Sequence, residues 1–554
     1  MKNIITNKKR ILLLLLSVAI VVTGFVKVNS DIYFEISKSI DVFGKVYREV
    51  SINYVDKITP ESFMLAGIKG MLSSLDPYTI YIDETMKKDL DILTRGKYGG
   101  IGTSVGLRRN KVTILDLMEG YPAQRQGLRV GDIIKKVDSI IVTKNNHSEL
   151  GSFLKGEPGK IVKLTIERDG IEEDLIFHIV LEEIVIKNVT YYGFIDNDSS
   201  TAYIKLSGFS RSAGSEVKKA LLDLKSQRIV KSIILDLRGN PGGLLDQAID
   251  ISEKFLNRND LIVSVIGRDT SNIMKYFSKE EPLAANDKLI VLVDNGSASA
   301  SEIVAGAIKD HDRGIIVGDN SFGKGLVQTV LPLSFNTSLK ITTAKYYTPS
   351  GRCIQEIDYS KNEDVFEESK SLDVKKFYTT NGREVFANGG IMPDTVVSNI
   401  SQSKQVQALL AHGMFFRFAT NYFNTNTISK IDSVEGSVLF NNFTKYLGEH
   451  KFEYTSKSEN LLKDLNEIAK DEEMNEDIIK LIVKLDDEYE SEKRAELEKY
   501  KSEIVCEIKQ ELAARISGRE GRILQSLKHD KQFDVALHLL KNDTVYNSLI
   551  GISN

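Results

Sequence analysis

The sequence predicts a layered α/β (α+β) core that carries an inserted β-domain and is flanked by helical regions at both ends. Three observations lead there. Between residues 185 and 400, apolar strand-like runs alternate with helical stretches, as expected of a sheet with helices packed on it. Residues 96–184 replace that rhythm with glycine-rich turns and short alternating segments. Residues 31–95 and 401–554 show apolar side chains at three- and four-residue spacing, the period of amphipathic helices.

A chain of 554 residues is long enough for several domains. Its 42% hydrophobic and 27% charged content is that of globular protein, and a net charge of −4 argues against nucleic acid as a partner. Cys353 and Cys506 stand far apart without metal-ligand spacing, so two free, buried thiols are expected.

In chain order, Lys8-Lys9-Arg10 precedes the apolar run Ile11–Val26. A basic flank before an apolar run marks an export signal, and a run of about 16 residues is short for a spanning helix. No small-x-small cleavage site follows. Residues 1–30 are therefore read as an uncleaved or slowly cleaved anchor, with the chain after Ser30 exported. In residues 31–95, Ile32, Ile36, Ile40, Phe43 and Val46 form one helical pattern, and Phe63, Ile68, Met71 and Leu75 a second. Leu75-Asp76-Pro77-Tyr78-Thr79 breaks it. This arm is expected to pack on the core or on another subunit.

Residues 96–184 open with Tyr98-Gly99-Gly100-Ile101-Gly102, followed by the alternating Thr103–Leu107 and Val112–Leu115. Next comes Gly120-Tyr121-Pro122-Ala123, then Gly127-Leu128-Arg129-Val130-Gly131-Asp132-Ile133, and finally the strand Ile161–Arg168. A glycine-rich turn running into a strand leaves backbone N–H groups that can hold a peptide carboxylate, while a strand edge accepts an extended peptide. Ile101, Val105 and Leu107 are candidate pocket residues.

In residues 185–400, strand-like runs fall at Thr201–Leu206, Ser232–Leu237, Leu261–Ile266, Leu289–Val293 and Ile315–Val317, with helical stretches at Ala213–Lys225 and Leu244–Leu256. Asp236-Leu237-Arg238-Gly239-Asn240-Pro241-Gly242-Gly243 ends one strand in a glycine turn that aims N–H groups outward. The run Leu289–Val293 leads through Asp294-Asn295-Gly296 into Ser297-Ala298-Ser299-Ala300-Ser301-Glu302 and a helical pattern. A serine at such an elbow lies beside the N–H groups of a helix start, where a nucleophile and an oxyanion site can coexist. For a base, His311 sits among charged residues and reads as a helix end. Lys324, between Gly323 and Gly325, can serve if burial lowers its pKa. Gln328 would face Lys324 if that segment is helical, and a neutral amide can orient an amine. Gly318–Gly325 nearly spells a phosphate-binding loop, but Gly325 stands where that loop needs Ser or Thr to hold magnesium.

Asn295-x-Ser-Ala-Ser-Ala-Ser-Glu302 followed by Phe322-Gly-Lys-Gly-x-Val-Gln328 resembles the carboxyl-terminal processing (tail-specific) serine proteases. The resemblance covers roughly residues 31–400. It implies Ser299 as nucleophile, Lys324 as general base, Gln328 as its orienting amide, and oxyanion donors at the N–H of Gly243 and of Ala300. Residues 96–184 are similar to the PDZ domains of bacterial proteases, which places the carboxylate-binding loop at Tyr98, Gly99, Gly100, Ile101 and Gly102. Tyr78 and Thr79 depart from the family's Leu-Asp-Pro-His-Ser, where nothing catalytic hangs. Gly382-Arg383 and Gly389–Asp394 resemble the segment that closes the family's protease core, residues 185–400. No metal or cofactor is implied. The expected partners are polypeptides with exposed C-termini, the inner membrane through the anchor, and a second copy of the chain; the expected location is the periplasm. A peptide-binding, chaperone-like protein that has lost turnover is the alternative, and it is disfavoured because Ser299, Lys324 and Gln328 are all present.

The last region, 401–554, holds Asp486–Arg515, read as one amphipathic helix with Leu497, Tyr500, Ile504, Ile508, Leu512 and, just beyond, Ile516 on its apolar stripe. It is expected to pack on the chain's own helices or on a second subunit.

Overall fold

The computed structural model describes residues 32–552 except 109, 196–199, 358, 360–375, 388, 399–401, 427, 451, 453–456 and 473. The expected anchor, residues 1–30, lies outside the described residues, as does most of the polar stretch near 357–372. Among the described residues no helix is long and apolar enough to cross a membrane. The described residues fall into two compact units: one holds those within 32–83, 330–341 and residue 359, the other those within 84–329, 342–357 and 376–552.

In the first unit, residues 32–53 are helical and a second helix runs Pro60–Ser73. Asp76 then closes a turn by accepting the N–H groups of Tyr78 and Thr79, both at 2.8 Å, and the Thr79 hydroxyl at 2.9 Å. One short strand interrupts the mainly helical arm: Ile80–Ile82 pairs antiparallel with Ser338–Lys340. Three residues are too few for a period to show.

The second unit is built on a six-stranded sheet. Its strands are β1 (Val189–Phe194), β2 (Thr201–Leu206), β3 (Ser232–Asp236), β4 (Lys288–Val293), β5 (Ile315–Gly318) and β6 (Thr395–Val396), in that spatial order. β1 runs antiparallel to β2, and the other pairs are parallel. Helices α1 (Ala213–Gln227), α2 (Leu245–Glu253) and α3 (Ala300–Asp310) connect them. Side chains alternate across the sheet. Ile233, Leu235, Leu289, Val291 and Val293 pack with Ala220, Ala248, Val304 and Ile308 from these helices. Ile234, Ile290, Leu292, Ile315 and Val317 point to the other face. Burial on both faces is why these strands read as continuous apolar runs. The run at Leu261–Gly267 belongs elsewhere, pairing with Ile273–Phe277 and with Ala344–Tyr347.

What covers the second face is the end of the chain. After α4 (Met414–Thr425) and α5 (Gly436–Glu449), α6 (Lys501–Leu527), two helical segments joined across a kink at Ser517 and Gly518, leads to α7 (Lys531–Lys541) and α8 (Asp543–Leu549). Leu527, Phe533, Ala536, Leu540 and Tyr546 lie on the sheet, and Tyr546 both donates to Leu289 O (3.0 Å) and accepts from Leu289 N (2.9 Å). The single helix expected over Asp486–Arg515 is two: Glu476–Lys499 ends before Tyr500 and α6 begins at Lys501. Ile504, Ile508 and Leu512 pack on Phe415, Phe418 and Phe443, so this stripe meets the chain's own helices.

The β-domain has a sheet ordered Thr103–Arg108, Lys111–Leu117, Ile133–Val137, Ile161–Glu167, Leu175–Val180, and a separate pair Lys97–Gly100 with Glu182–Val185. Asp132 of the Gly-Asp string is 1% exposed and holds Arg168 at 2.7 Å, a structural duty. Cys353 and Cys506 are both free and half-buried.

Candidate active site

Ser299 sits at the turn from β4 into α3 with φ 56° and ψ −112°. A non-glycine residue at positive φ is strained, and such strain collects at functional sites. Its two neighbouring serines are spoken for. The Ser297 hydroxyl donates to Leu237 O (2.9 Å) and accepts from Asp294 N (3.0 Å), and the Ser301 hydroxyl donates to Asn240 O (2.9 Å). Both are completely buried, whereas Ser299 is partly exposed.

Glu302, on the first turn of α3, joins the elbow to the Lys324 loop. Its side chain is fully buried. One carboxylate oxygen accepts from Ser299 N (2.7 Å) and Lys324 N (2.9 Å). The other accepts from the Ser321 hydroxyl (2.6 Å) and Gly323 N (2.7 Å). Burial pushes the Glu302 pKa up, while Ser321 and the backbone N–H groups of Lys324, Gly323 and Ser299 pull it down; burial prevails. The loop is held from other sides by Phe322 N donating to Ser297 O (3.0 Å) and Gly325 N donating to Gln355 Oε1 (2.7 Å). Sequence reasoning assigns no role to Glu302. The spacing Ser299-x-x-Glu302 is nonetheless the capping-box pattern, in which the acidic side chain reaches back to the residue that starts the helix.

Lys324 lies in this loop, half-buried, with Tyr346 donating its hydroxyl to the Lys324 carbonyl. The helix that would stack Gln328 on Lys324 is absent: Leu326–Pro332 is a strand, and Gln328 Nε2 reaches Thr342 Oγ1 at 3.4 Å. The β-branched residues Val327, Thr329 and Val330 favour that outcome. A strand after Gly325 also leaves no helix start to cradle phosphate, so the phosphate-loop reading has no support. His311 caps the end of α3, with Nε2 2.7 Å from Leu261 O.

The glycine turn after β3 presses on the elbow. A Cβ on Gly242 (φ 95°) would lie 2.8 Å from Ala300 N and 3.0 Å from the Ser299 Cβ, so only glycine fits there. Gly242 N is committed to Asn240 Oδ1 (3.0 Å). Among the described residues nothing accepts from Gly243 N or Ala300 N. The turn and the elbow are tied by Ala298 N donating to Asn240 O (3.0 Å), and by Asp294 Oδ1, which accepts from Gly239 N (2.8 Å) and Gly296 N (2.9 Å). A half-exposed hydroxyl beside two uncommitted backbone donors, with an amine-bearing loop bound to the same carboxylate, is an arrangement that can form and hydrolyse an acyl intermediate.

In the β-domain, Tyr98, Gly99 and Gly100 lie in a strand paired with Glu182–Val185, and Gly156 N donates to Gly99 O (3.0 Å). Ile101 is 1% exposed and belongs to the domain core, so it is not a pocket wall. The N–H groups of Ile101 and Gly102 (φ 80°) find no acceptor among the described residues. The next strand, Thr103–Arg108, carries partly buried Val105 and Leu107 and is at the edge of its sheet, paired among the described residues with Lys111–Leu117 alone.

Comparison with known proteins agrees with this architecture. Residues 200–365 match the model of peptidase family S41, residues 99–177 that of the PDZ domain, and residues 405–540 that of the probable PDZ-protease C-terminal helical domain. The chain is 39% identical over 323 residues to a carboxy-terminal-processing protease of Bartonella bacilliformis, covering 58% of this chain and 73% of that one. It is 33% identical over 335 residues to carboxy-terminal processing protease CtpB of Bacillus subtilis (60% and 69%), and 31% identical over 350 residues to CtpA of the same organism (62% and 74%).

Proposed function

We propose that this chain, which belongs to the family of carboxy-terminal processing serine proteases, cleaves polypeptides with a Ser299–Lys324 dyad after reading their C-termini through its PDZ domain. The observation that carries the dyad is the shared carboxylate, since Glu302 takes the backbone N–H of both residues. Ser299 Oγ attacks the scissile carbonyl, and Lys324 Nζ takes the proton and passes it to the leaving amine. The N–H groups of Gly243 and Ala300 hold the oxyanion, and water then releases the acyl group. Gln328 acts on the base side from its strand. Residues 185–400 do the cutting, residues 96–184 select the tail, and residues 1–30 hold the exported chain at the membrane, on its periplasmic side. A second copy of the chain is a natural partner for the exposed apolar face of residues 32–53, where Phe34 and Ile40 lie open.

A tail reader is sensitive to the charge of the terminus. A carboxylate held by the Gly102 N–H and its neighbours loses that contact on amidation, a charge-assisted hydrogen bond of ~1.5–3 kcal/mol, so binding weakens roughly ten- to a hundredfold. The measurement is the cleavage rate of one unstructured polypeptide with free, amidated or charged C-terminal residues, with Ser299→Ala as the blank. Equal rates for all three would remove tail reading and leave the dyad standing.

A further inference from the structure

We propose that Asp530 and Gln532, at the start of α7, are positioning residues for this cleavage: they hold the Asn240–Gly243 turn in place through Arg238. The inference rests on the reading of Gly243 and Ala300 as oxyanion donors.

Arg238 is the hinge between β3 and that turn. On one side it grips Asp236 with two nitrogens, Nε to Oδ1 at 3.0 Å and Nη2 to Oδ2 at 2.6 Å. Its remaining nitrogen, Nη1, reaches across to the C-terminal helices, to Asp530 Oδ2 at 2.6 Å and Gln532 Oε1 at 3.0 Å. These partners stand nearly three hundred residues further along the chain, and the contact joins the last helices to the turn beside the elbow. Each is committed on its other side. Asp530 Oδ1 accepts from Phe533 N (3.0 Å) and so caps α7, while Gln532, completely buried, donates Nε2 to Val397 O (2.7 Å).

The charges balance only with Asp530 present. Lys205 Nζ meets Asp236 Oδ1 (3.0 Å) and Arg238 O (2.8 Å), and Tyr203 donates to Asp236 Oδ2 (2.7 Å). Two cations, Lys205 and Arg238, therefore face two carboxylates, Asp236 and Asp530, all largely buried. Burial alone would raise the Asp236 pKa, and the charges of Lys205 and Arg238 instead hold it well below the carboxylate range. Without Asp530 the cluster carries an excess buried positive charge, and Nη1 loses its ionic partner. The residue after Arg238 donates to Asp294, and the next accepts from Ala298 and Ser301, so freedom gained at Arg238 passes directly to the turn and the elbow.

A positioning role predicts a loss of kcat with KM preserved, because a displaced oxyanion donor weakens the transition state and not the docking of substrate. The test uses the full-length chain and a quenched fluorescent peptide. Asp530→Asn keeps an acceptor for the α7 cap and removes the charge facing Arg238; Asp530→Ala removes both. Phe533→Leu thins the same helix contact without touching Arg238. Asp530→Asn should lower kcat about 10- to 100-fold with KM within twofold, measured at a temperature where the variant is fully folded, and the unpaired Arg238 charge should lower its melting temperature. Phe533→Leu should lower the melting temperature and leave kcat unchanged at 25 °C. Wild-type kcat in Asp530→Asn, or kcat losses that follow melting temperature across all three variants, would overturn the proposal. Ser299→Ala run alongside separates the two levels: if it stays active, the reading of the site fails, and if it is dead while Asp530→Asn is fully active, only the positioning role fails.

Discussion

Ser299→Ala is expected to abolish proteolysis, a loss of about 10⁴-fold or more, with the fold retained. The side chain is partly exposed and caps α3, so alanine costs about 0.5–2 kcal/mol of stability; the strained φ of 56° belongs to the backbone and persists. Ser297→Ala and Ser301→Ala should behave in the opposite way. Each deletes a buried hydroxyl bonded to a carbonyl, Leu237 O or Asn240 O, at a cost of about 1–3 kcal/mol in stability, while activity stays measurable. Cleavage rates and thermal unfolding of the three variants, measured together, decide the matter. An active Ser299→Ala beside a dead Ser301→Ala would move the nucleophile.

Glu302→Gln should be nearly as damaging to activity, by another route. The glutamine oxygen can still accept from Ser321 and Gly323, but its NH₂ group would face the N–H groups of Ser299 and Lys324. Two buried donors are left unmet, about 2–6 kcal/mol in total, and the elbow and the lysine loop lose their common anchor. The substitution should also change how stability depends on pH. A carboxyl whose folded pKa is raised by burial binds its proton more tightly when folded. That contribution is greatest below the unfolded value and is lost as pH rises toward the raised folded value. Glutamine has no proton to lose, so the variant should lack this decline. Unfolding curves for wild type and Glu302→Gln from pH 4 to 8 provide the check; parallel pH profiles would show that Glu302 does not titrate as described.

Much of this architecture is legible in residue patterns. The core strands are bare apolar runs because both sheet faces are covered, and such runs stand out. Helices α1 and α2 follow from three- and four-residue spacing. Ser299 and Lys324 stand in a long ordered motif, and the order of its residues singles them out. The pattern is silent where the answer depends on a partner far along the chain. The apolar stripes of the C-terminal helices demand burial, but nothing in them says that Phe533 and Tyr546 meet the core sheet. Ile80–Ile82 is a strand only because Ser338–Lys340 lies beside it. The four-residue distance from Lys324 suggests a helix for Gln328, although the β-branched residues around it favour a strand. The capping role of Glu302 is written in Ser299-x-x-Glu302, yet its second task, holding the Lys324 loop, needs the fold to bring residue 324 near.

The central claim is a serine nucleophile at position 299 activated by the lysine at 324. Reacting the protein with a fluorophosphonate and mapping the adduct by mass spectrometry tests both halves at once, since only an activated serine displaces fluoride from phosphorus. In the wild type the label should fall on Ser299. In Lys324→Arg, whose guanidinium stays charged and cannot accept the proton, labelling should fall to background. A label on Ser297 or Ser301, or undiminished labelling of Ser299 in Lys324→Arg, would contradict the account.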